Sequence, residues 1–184
     1  ETGVLLLTWV DANAAAGKIE EALAQKLLSL LSIPWKLEVL KTVRNLLGSE
    51  YWIVGGFVRD PVWDDFNGFP LPTPLEDIDV IYFDPQASGS HESRSRDILI
   101  SAVPNQIWSV TNEARGHLIR GEEPYASIED AVSRFPETAS CIAIRLTKDS
   151  SIEIVAPYGL GDLFDGIVRV SPNAAAEQYE DRLR

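Results

Sequence analysis

At 184 residues and 20.3 kDa the chain has the length of one compact domain with a substantial core, and no apolar run nears the ~18 residues that cross a bilayer. A formal net charge of -12 opposes a phosphate backbone over most of the surface, which excludes an extended DNA footprint but leaves room for an RNA end in a local basic pocket. The single cysteine, Cys141, sits in the apolar run CIAI and cannot form an internal disulfide, so a buried, inert thiol and a reducing, cytoplasmic setting are expected. The sequence holds no methionine and opens on Glu-Thr-Gly, so its first residues are expected not to be a native start.

From Lys18 to Ser32 the apolar residues Ile19, Leu23, Leu27, Leu28, Leu30 and Leu31 recur at helical spacing, and Pro34 ends that helix and opens a second, which closes at Gly48. These two leucine-rich helices are expected to cover the core, with a dimer seam as the alternative use. YWIV (51–54) then reads as a short buried strand, Gly55-Gly56 as a turn, and FVRDPVWDDF as a helix that tolerates Pro61 only near its start. NGFPLPTPL, with three prolines, is an irregular loop, followed by a strand from Asp77 to Phe83. PQASGSHES reads as a second loop, with His91 solvated. Next come a helix from Arg94 to Val103, a strand at Ile107–Val110, and a helix opened by Ser127. Ala139–Thr147 and Ser151–Val155 form an antiparallel hairpin about Asp149 and Ser150. A short helix at Asp162–Phe164, a strand at Ile167–Val170 and a terminal helix from Asn173 complete the chain. This pattern predicts an α/β (α+β) domain with a mixed sheet and flanking helices.

Residues two apart on a strand share a face, so Asp77 and Asp79 project together while Ile78 and Val80 enter the core. Their spacing of roughly 7 Å lets both carboxylates converge on divalent ions about 4 Å apart, and hard oxygen ligands favour Mg²⁺ or Mn²⁺. An acidic strand end in solvent would show the same D-x-D. The Gly pair lets a phosphate approach the backbone at a helix N-terminus, or simply makes a tight strand-to-helix turn. Arg59, one turn on, can reach a phosphate or pair with Asp60 or Asp64. A third carboxylate for a two-ion site is sought in Glu153, which interrupts the apolar IEIV and faces opposite to Ile152 and Ile154. In WSVTNEARGH, Trp108, Asn112, Arg115 and His117 offer stacking, amide and cationic groups for a nucleotide pocket. They serve equally as a core anchor and as turn-satisfying groups. No Cys/His spacing suggests zinc, and the phosphate loop of P-loop NTPases and the elbow of serine hydrolases are both missing from the sequence.

GGFVRD followed by DID resembles the head domain of tRNA CCA-adding enzymes, within the polymerase-beta-like nucleotidyltransferase superfamily. GGFVRDPVWD, DIDVIYFDP, WSVTNEARGH, PYASIEDAVSRFPETA and IEIVAPYGLGDLF together look like the small stand-alone NTP-transferase family, over about Trp52 to Val170. The resemblance implies that the Gly pair, Gly55 and Gly56, lies beside the triphosphate. It also implies Asp77 and Asp79 as metal ligands with Glu153 the third, and transfer of a nucleoside monophosphate from NTP to an acceptor hydroxyl. Residues 51–170 then form the catalytic core of a single domain, 1–184, with N-terminal helices at 18–48 and a terminal helix at 173–184. Arg59, Asn112 and Arg115 are the further nucleotide-binding candidates. The acceptor stays open between a small molecule, a protein and an RNA end, and tRNA tailing is poorly supported because few residues follow the head-like region. A non-catalytic nucleotide-binding or protein-interaction module on the same scaffold is the competing reading.

Overall fold

The protein is seen here as a computed structural model that describes residues 9–11, as backbone, and residues 20–174 apart from the Ile119 side chain. After a short strand at Trp9–Asp11 come two helices, α1 (Glu21–Leu31) and α2 (Pro34–Leu46). Pro34 occupies the first position of α2, where its missing N–H costs no helical bond. The proposed first residues of α1, Lys18 and Ile19, lie outside the described residues. Among the described residues no helix is long and apolar enough to cross a membrane.

Among the described residues six strands build one mixed sheet: β1 (Trp9–Asp11), β2 (Trp52–Val54), β3 (Ile78–Tyr82), β4 (Trp108–Asn112), β5 (Ala143–Leu146) and β6 (Ile152–Val155). Their order is β1-β6-β5-β2-β3-β4, antiparallel in the middle and parallel at the β1–β6 and β3–β4 edges. Strand alternation sorts the side chains. Ile53, Val80, Ile144 and Ile154 share one buried cluster with Leu27 and Leu31 of α1 and Leu40 of α2. Leu99, from α4 (Ser90–Ala102), joins them. Trp52, Val54, Ile81 and Ala143, on the opposite face, meet Cys141 and Val132, the latter from α6 (Ile128–Ser133). Cys141 is fully buried, and burial pushes its thiol up to about 12, which leaves it inert at neutral pH.

Several sequence expectations shift on tertiary grounds. α4 starts at Ser90 because His91 and Glu92, read as loop, are held from outside. His91 Nε2 pairs with the Tyr51 hydroxyl at 2.8 Å, and Glu92 accepts from Arg115 at 2.6 Å. The hairpin β5–β6 forms, but the segment before it, Thr138–Ser140, winds into a 3-10 turn and the strand begins only at Ala143. Ile167–Val170 makes no strand beyond a single bridge from Val170 to Glu137. β1 adds an edge that periodicity did not mark. The proposed terminal helix falls, after Asn173 and Ala174, outside the described residues.

The helix after the Gly pair, α3 (Gly56–Asn67), runs straight through Pro61. Proline supplies no N–H to the carbonyl four residues back, which here belongs to Phe57. That carbonyl accepts instead from Lys36 Nζ of α2 at 2.5 Å. The ammonium also lies 3.9 Å from the Phe57 ring centroid and 4.6 Å from that of Trp35, and only 3% of Lys36 is exposed. A buried cation thus closes the gap left by the proline and ties α2 to the first turns of α3.

Candidate functional site

At the end of β2 the chain must turn at once into α3. Gly55 does this at φ 69°, a conformation that strains any residue with a Cβ. The turn is also crowded. A Cβ on Gly55 would stand 2.7 Å from Asp79 Oδ2, and one on Gly56 would stand 2.7 Å from Asp60 Oδ2 and 3.1 Å from Leu75 Cδ1. The Asp79 carboxylate therefore rests directly against the backbone at the N-terminal end of α3. It arrives there because β2 and β3 pair with Val54 opposite Asp79. Gly55→Ala is accordingly expected to cost about 1–3 kcal/mol of stability, read by chemical denaturation, since it meets both backbone strain and the carboxylate.

A cleft of about 540 Å³ opens in front of this turn, and Gly55, Gly56, Arg59, Asp77 and Asp79 all line it. Of the eight residues nominated from sequence, these five converge. Arg59 lies across the Trp63 ring at 5.1 Å and pairs with Asp60 at 2.8 Å. Asp64 accepts from the backbone and hydroxyl of Thr73, at 2.8 and 2.5 Å, and so pins the proline-rich loop as the far wall. Asp60, Asp64, Glu76, Asp77 and Asp79 give the cleft an acidic lining against, among the described residues, the single cation of Arg59. The Lys36 ammonium lies just behind it. Burial pulls its pKa down to about 8, and the Asp60 and Asp64 carboxylates partly offset this.

The other three nominees sit elsewhere. Glu153 faces the same side of the sheet as Asp79, as alternation requires, but β5 and β2 separate β6 from β3. Three strand spacings of about 4.8 Å put it beyond the reach of a shared ion. It pairs with Arg145 at 2.5 Å, and Arg145 in turn stacks on Trp52 at 4.2 Å. Glu153→Gln is expected to leave metal-dependent nucleotide binding within about twofold of wild type, as for any distant site. Asn112 pairs in register with Tyr82 on the core side and bridges two strand ends. Its Oδ1 accepts from Asp84 N at 3.0 Å and its Nδ2 donates to Asp84 O at 2.7 Å. Arg115 donates to Ala87 O at 2.8 Å and pairs with Glu92. Trp108 is a buried anchor, its indole N–H donating to Val103 O. His117 stands edge-on to Tyr125.

Sequence reasoning missed Lys36, whose only signal was that a helix containing Pro61 needs a foreign donor. It also missed the outward set of β4. Ser109 and Thr111 lie on the Asp79 face, because Asp79 pairs with Ser109 and Ile81 with Thr111. Alternation about Trp108 could have marked them, but only the β3–β4 register places them beside Asp79. They line a second cavity with Glu113 and with Arg120 from the short helix α5 (Gly116–Arg120). Glu113 is 2% exposed, and burial raises its pKa while Arg120, 3.1 Å away, opposes the shift.

Comparison with known proteins agrees with this architecture. No curated protein matches the sequence significantly. A solved structure described as an NMR structure that reveals a CCA-adding enzyme head domain is 28% identical, with TM-score 0.75, over 93% of this chain and 90% of that one. The Thermotoga maritima CCA-adding enzyme in complex with tRNA shares 17% identity at TM-score 0.51, over 79% of this chain. A CCA-adding enzyme in complex with CTP shares 14% at 0.54, over 86%. This chain spans only 35% and 38% of those two proteins, whose likeness extends to the fold. A family model described as nucleotidyltransferase matches residues 41–184, from α2 through the Gly turn and the aspartate strand to the last residue. The mixed sheet is thus that of the CCA-adding enzyme head domain, and the chain belongs to the nucleotidyltransferase family.

Proposed function

We propose that the protein transfers a nucleoside monophosphate from an NTP to an acceptor hydroxyl in a reaction that needs Mg²⁺ or Mn²⁺. The observation that carries this reading is the seat of Asp79 against Gly55, which brings a carboxylate to the N-terminal end of α3, with Asp77, the residue just before β3, lining the same cleft. The first-turn N–H groups of α3 and the guanidinium of Arg59 suit the β- and γ-phosphates. The acidic lining would repel a bare triphosphate, so the nucleotide needs its cations to enter.

Among the described residues no group of three or more His, Cys, Asp or Glu side chains could hold an ion alone. Two carboxylates do fit Mg²⁺, which is ordinarily held by one or two of them together with substrate phosphates. Asp77 and Asp79 would thus share the ion with the triphosphate. When bound, the metal lowers the pKa of the acceptor hydroxyl and neutralises charge on the leaving group. In the transfer the acceptor oxygen bonds to the α-phosphorus, the bond from that phosphorus to the bridging oxygen breaks, pyrophosphate leaves, and the hydroxyl proton passes to solvent. The protein's part is to align the phosphates along α3 and aim them at Asp79.

Calorimetric titration of the four NTPs with Mg²⁺, with Mn²⁺ and with EDTA tests this. Binding is expected with either metal and at least tenfold weaker in EDTA. Absence of binding in the presence of metal contradicts the reading and favours a protein-interaction role.

A further inference from the structure

Asp79 and Gly55 border two cavities. Besides the acidic cleft they border the second one, of about 230 Å³, on the sheet face that also carries α6. The two spaces differ in chemistry. The second has apolar walls from Val54, Ile81 and Phe135, hydroxyls from Ser109, Thr111 and Ser140, and the compensated charges of Glu113 and Arg120. Arg120 is fixed by more than Glu113, since it also donates to the Tyr125 hydroxyl at 3.0 Å and lies 5.8 Å from the Phe135 ring centroid. Asp79 is shared with the acidic cleft; otherwise, among the described residues, such a pocket is charged only by the Glu113–Arg120 pair and offers no free cation to a phosphate. It offers an apolar wall and fixed hydrogen-bonding groups, as sites for small neutral molecules do.

Phosphoryl transfer places the attacking and leaving oxygens roughly in line through the phosphorus. If pyrophosphate departs along α3, the nucleophile must approach from the far side of Asp79, which is where this second cavity opens. At about 230 Å³ it falls below the ~300 Å³ of a pocket that encloses a whole drug-sized ligand. It therefore fits one ring or a short polyol better than several stacked bases.

We propose that this cavity is the acceptor subsite and that the acceptor is a small neutral polyol, sugar-like in its hydroxyls and in the C–H face it would lay on Phe135. The proposal rests on the nucleotidyltransfer reading above. Its test is the full chain with Mg²⁺ or Mn²⁺ and α-³²P-labelled NTPs, offered glycerol, D-ribose and myo-inositol in one arm and an RNA oligonucleotide with a free 3′ hydroxyl in the other. Thr111→Trp, on an edge strand, fills the cavity; its fold is checked by thermal melting and its Mg·NTP affinity by calorimetry. Label is expected on a polyol with wild type and not with Thr111→Trp, whose NTP affinity stays within about twofold of wild type because the phosphates lie in the other cleft. Label on RNA instead, or on no polyol while NTP binds, overturns the proposal. A tenfold loss of NTP affinity in Thr111→Trp also overturns it, because the cavity would then hold the nucleotide itself. Failure of wild type to bind NTP at all is a separate result that removes the underlying reading.

Discussion

Asp79→Asn is expected to reduce nucleotidyl transfer by on the order of 10²–10³-fold, the range seen when one preorganised electrostatic group is removed from a reacting phosphate or oxyanion. The substitution keeps the shape that fits against Gly55, so the fold should survive with little change in melting temperature. It removes the charge that the ion needs. In Mg²⁺ the variant should bind NTP no better than wild type does in EDTA, and adding EDTA to the variant should cost nothing further. That non-additivity distinguishes a metal ligand from a residue that merely shapes the turn, for which the two losses would add. Calorimetry on both proteins with and without chelator decides it.

A second large effect lies behind the site, in the pairing of Lys36 with the carbonyl that Pro61 leaves without its helical donor. Replacing Pro61 with Ala returns an N–H to that carbonyl. Lys36→Met should therefore cost about 1–3 kcal/mol more in the wild-type background than in Pro61→Ala, the range for a buried acceptor left unpaired. A double-mutant cycle by urea denaturation measures the difference, and additivity within about 0.5 kcal/mol would contradict the account. The cycle is the right measurement because the sign of Lys36→Met alone is set by two opposing terms. The lost hydrogen bond destabilises, while removal of a buried charge relieves desolvation.

The pH dependence follows from the same burial. A lysine lowered from 10.5 to about 8 on folding binds fewer protons in the folded than in the unfolded chain between those values. Stability should therefore rise with pH across that window. Wild type should gain on Lys36→Met from pH 8 toward pH 10, and a fall would show that the ammonium is held by its partners more strongly than burial opposes it.

Period and punctuation in the sequence were enough to find most elements, because Leu27, Leu31 and Leu40 mark helix faces and Ile78 and Val80 mark a strand without reference to anything distant. The Gly pair and the aspartates were legible for the same reason: a turn and a two-residue repeat are local. The local pairing of the β5–β6 hairpin was legible too, but what depends on which distant strands lie side by side was not. Glu153 has the right facing and the wrong neighbours, since alternation fixes the side of a sheet but not the order of its strands. Asn112 and Arg115 have the right chemistry for a nucleotide and are occupied with strand ends and a loop carbonyl. Ser109, Thr111 and Glu113 stand within WSVTNEARGH but were not singled out there, and only the parallel β3–β4 register brings the outward set of β4 to the cavity next to Asp79. His91, read as a solvated loop residue, became part of α4 through a tyrosine 40 positions earlier.

In the proposed reading Asp77 and Asp79 hold the ion jointly with the triphosphate. The most direct test is the dissociation constant of Mn²⁺ measured with and without a non-hydrolysable α,β-methylene NTP. Mn²⁺ is expected to bind at least tenfold tighter when nucleotide is present, with the nucleotide tightened by the same factor in Mn²⁺, as linkage requires. Equal Mn²⁺ affinity in both conditions would contradict it.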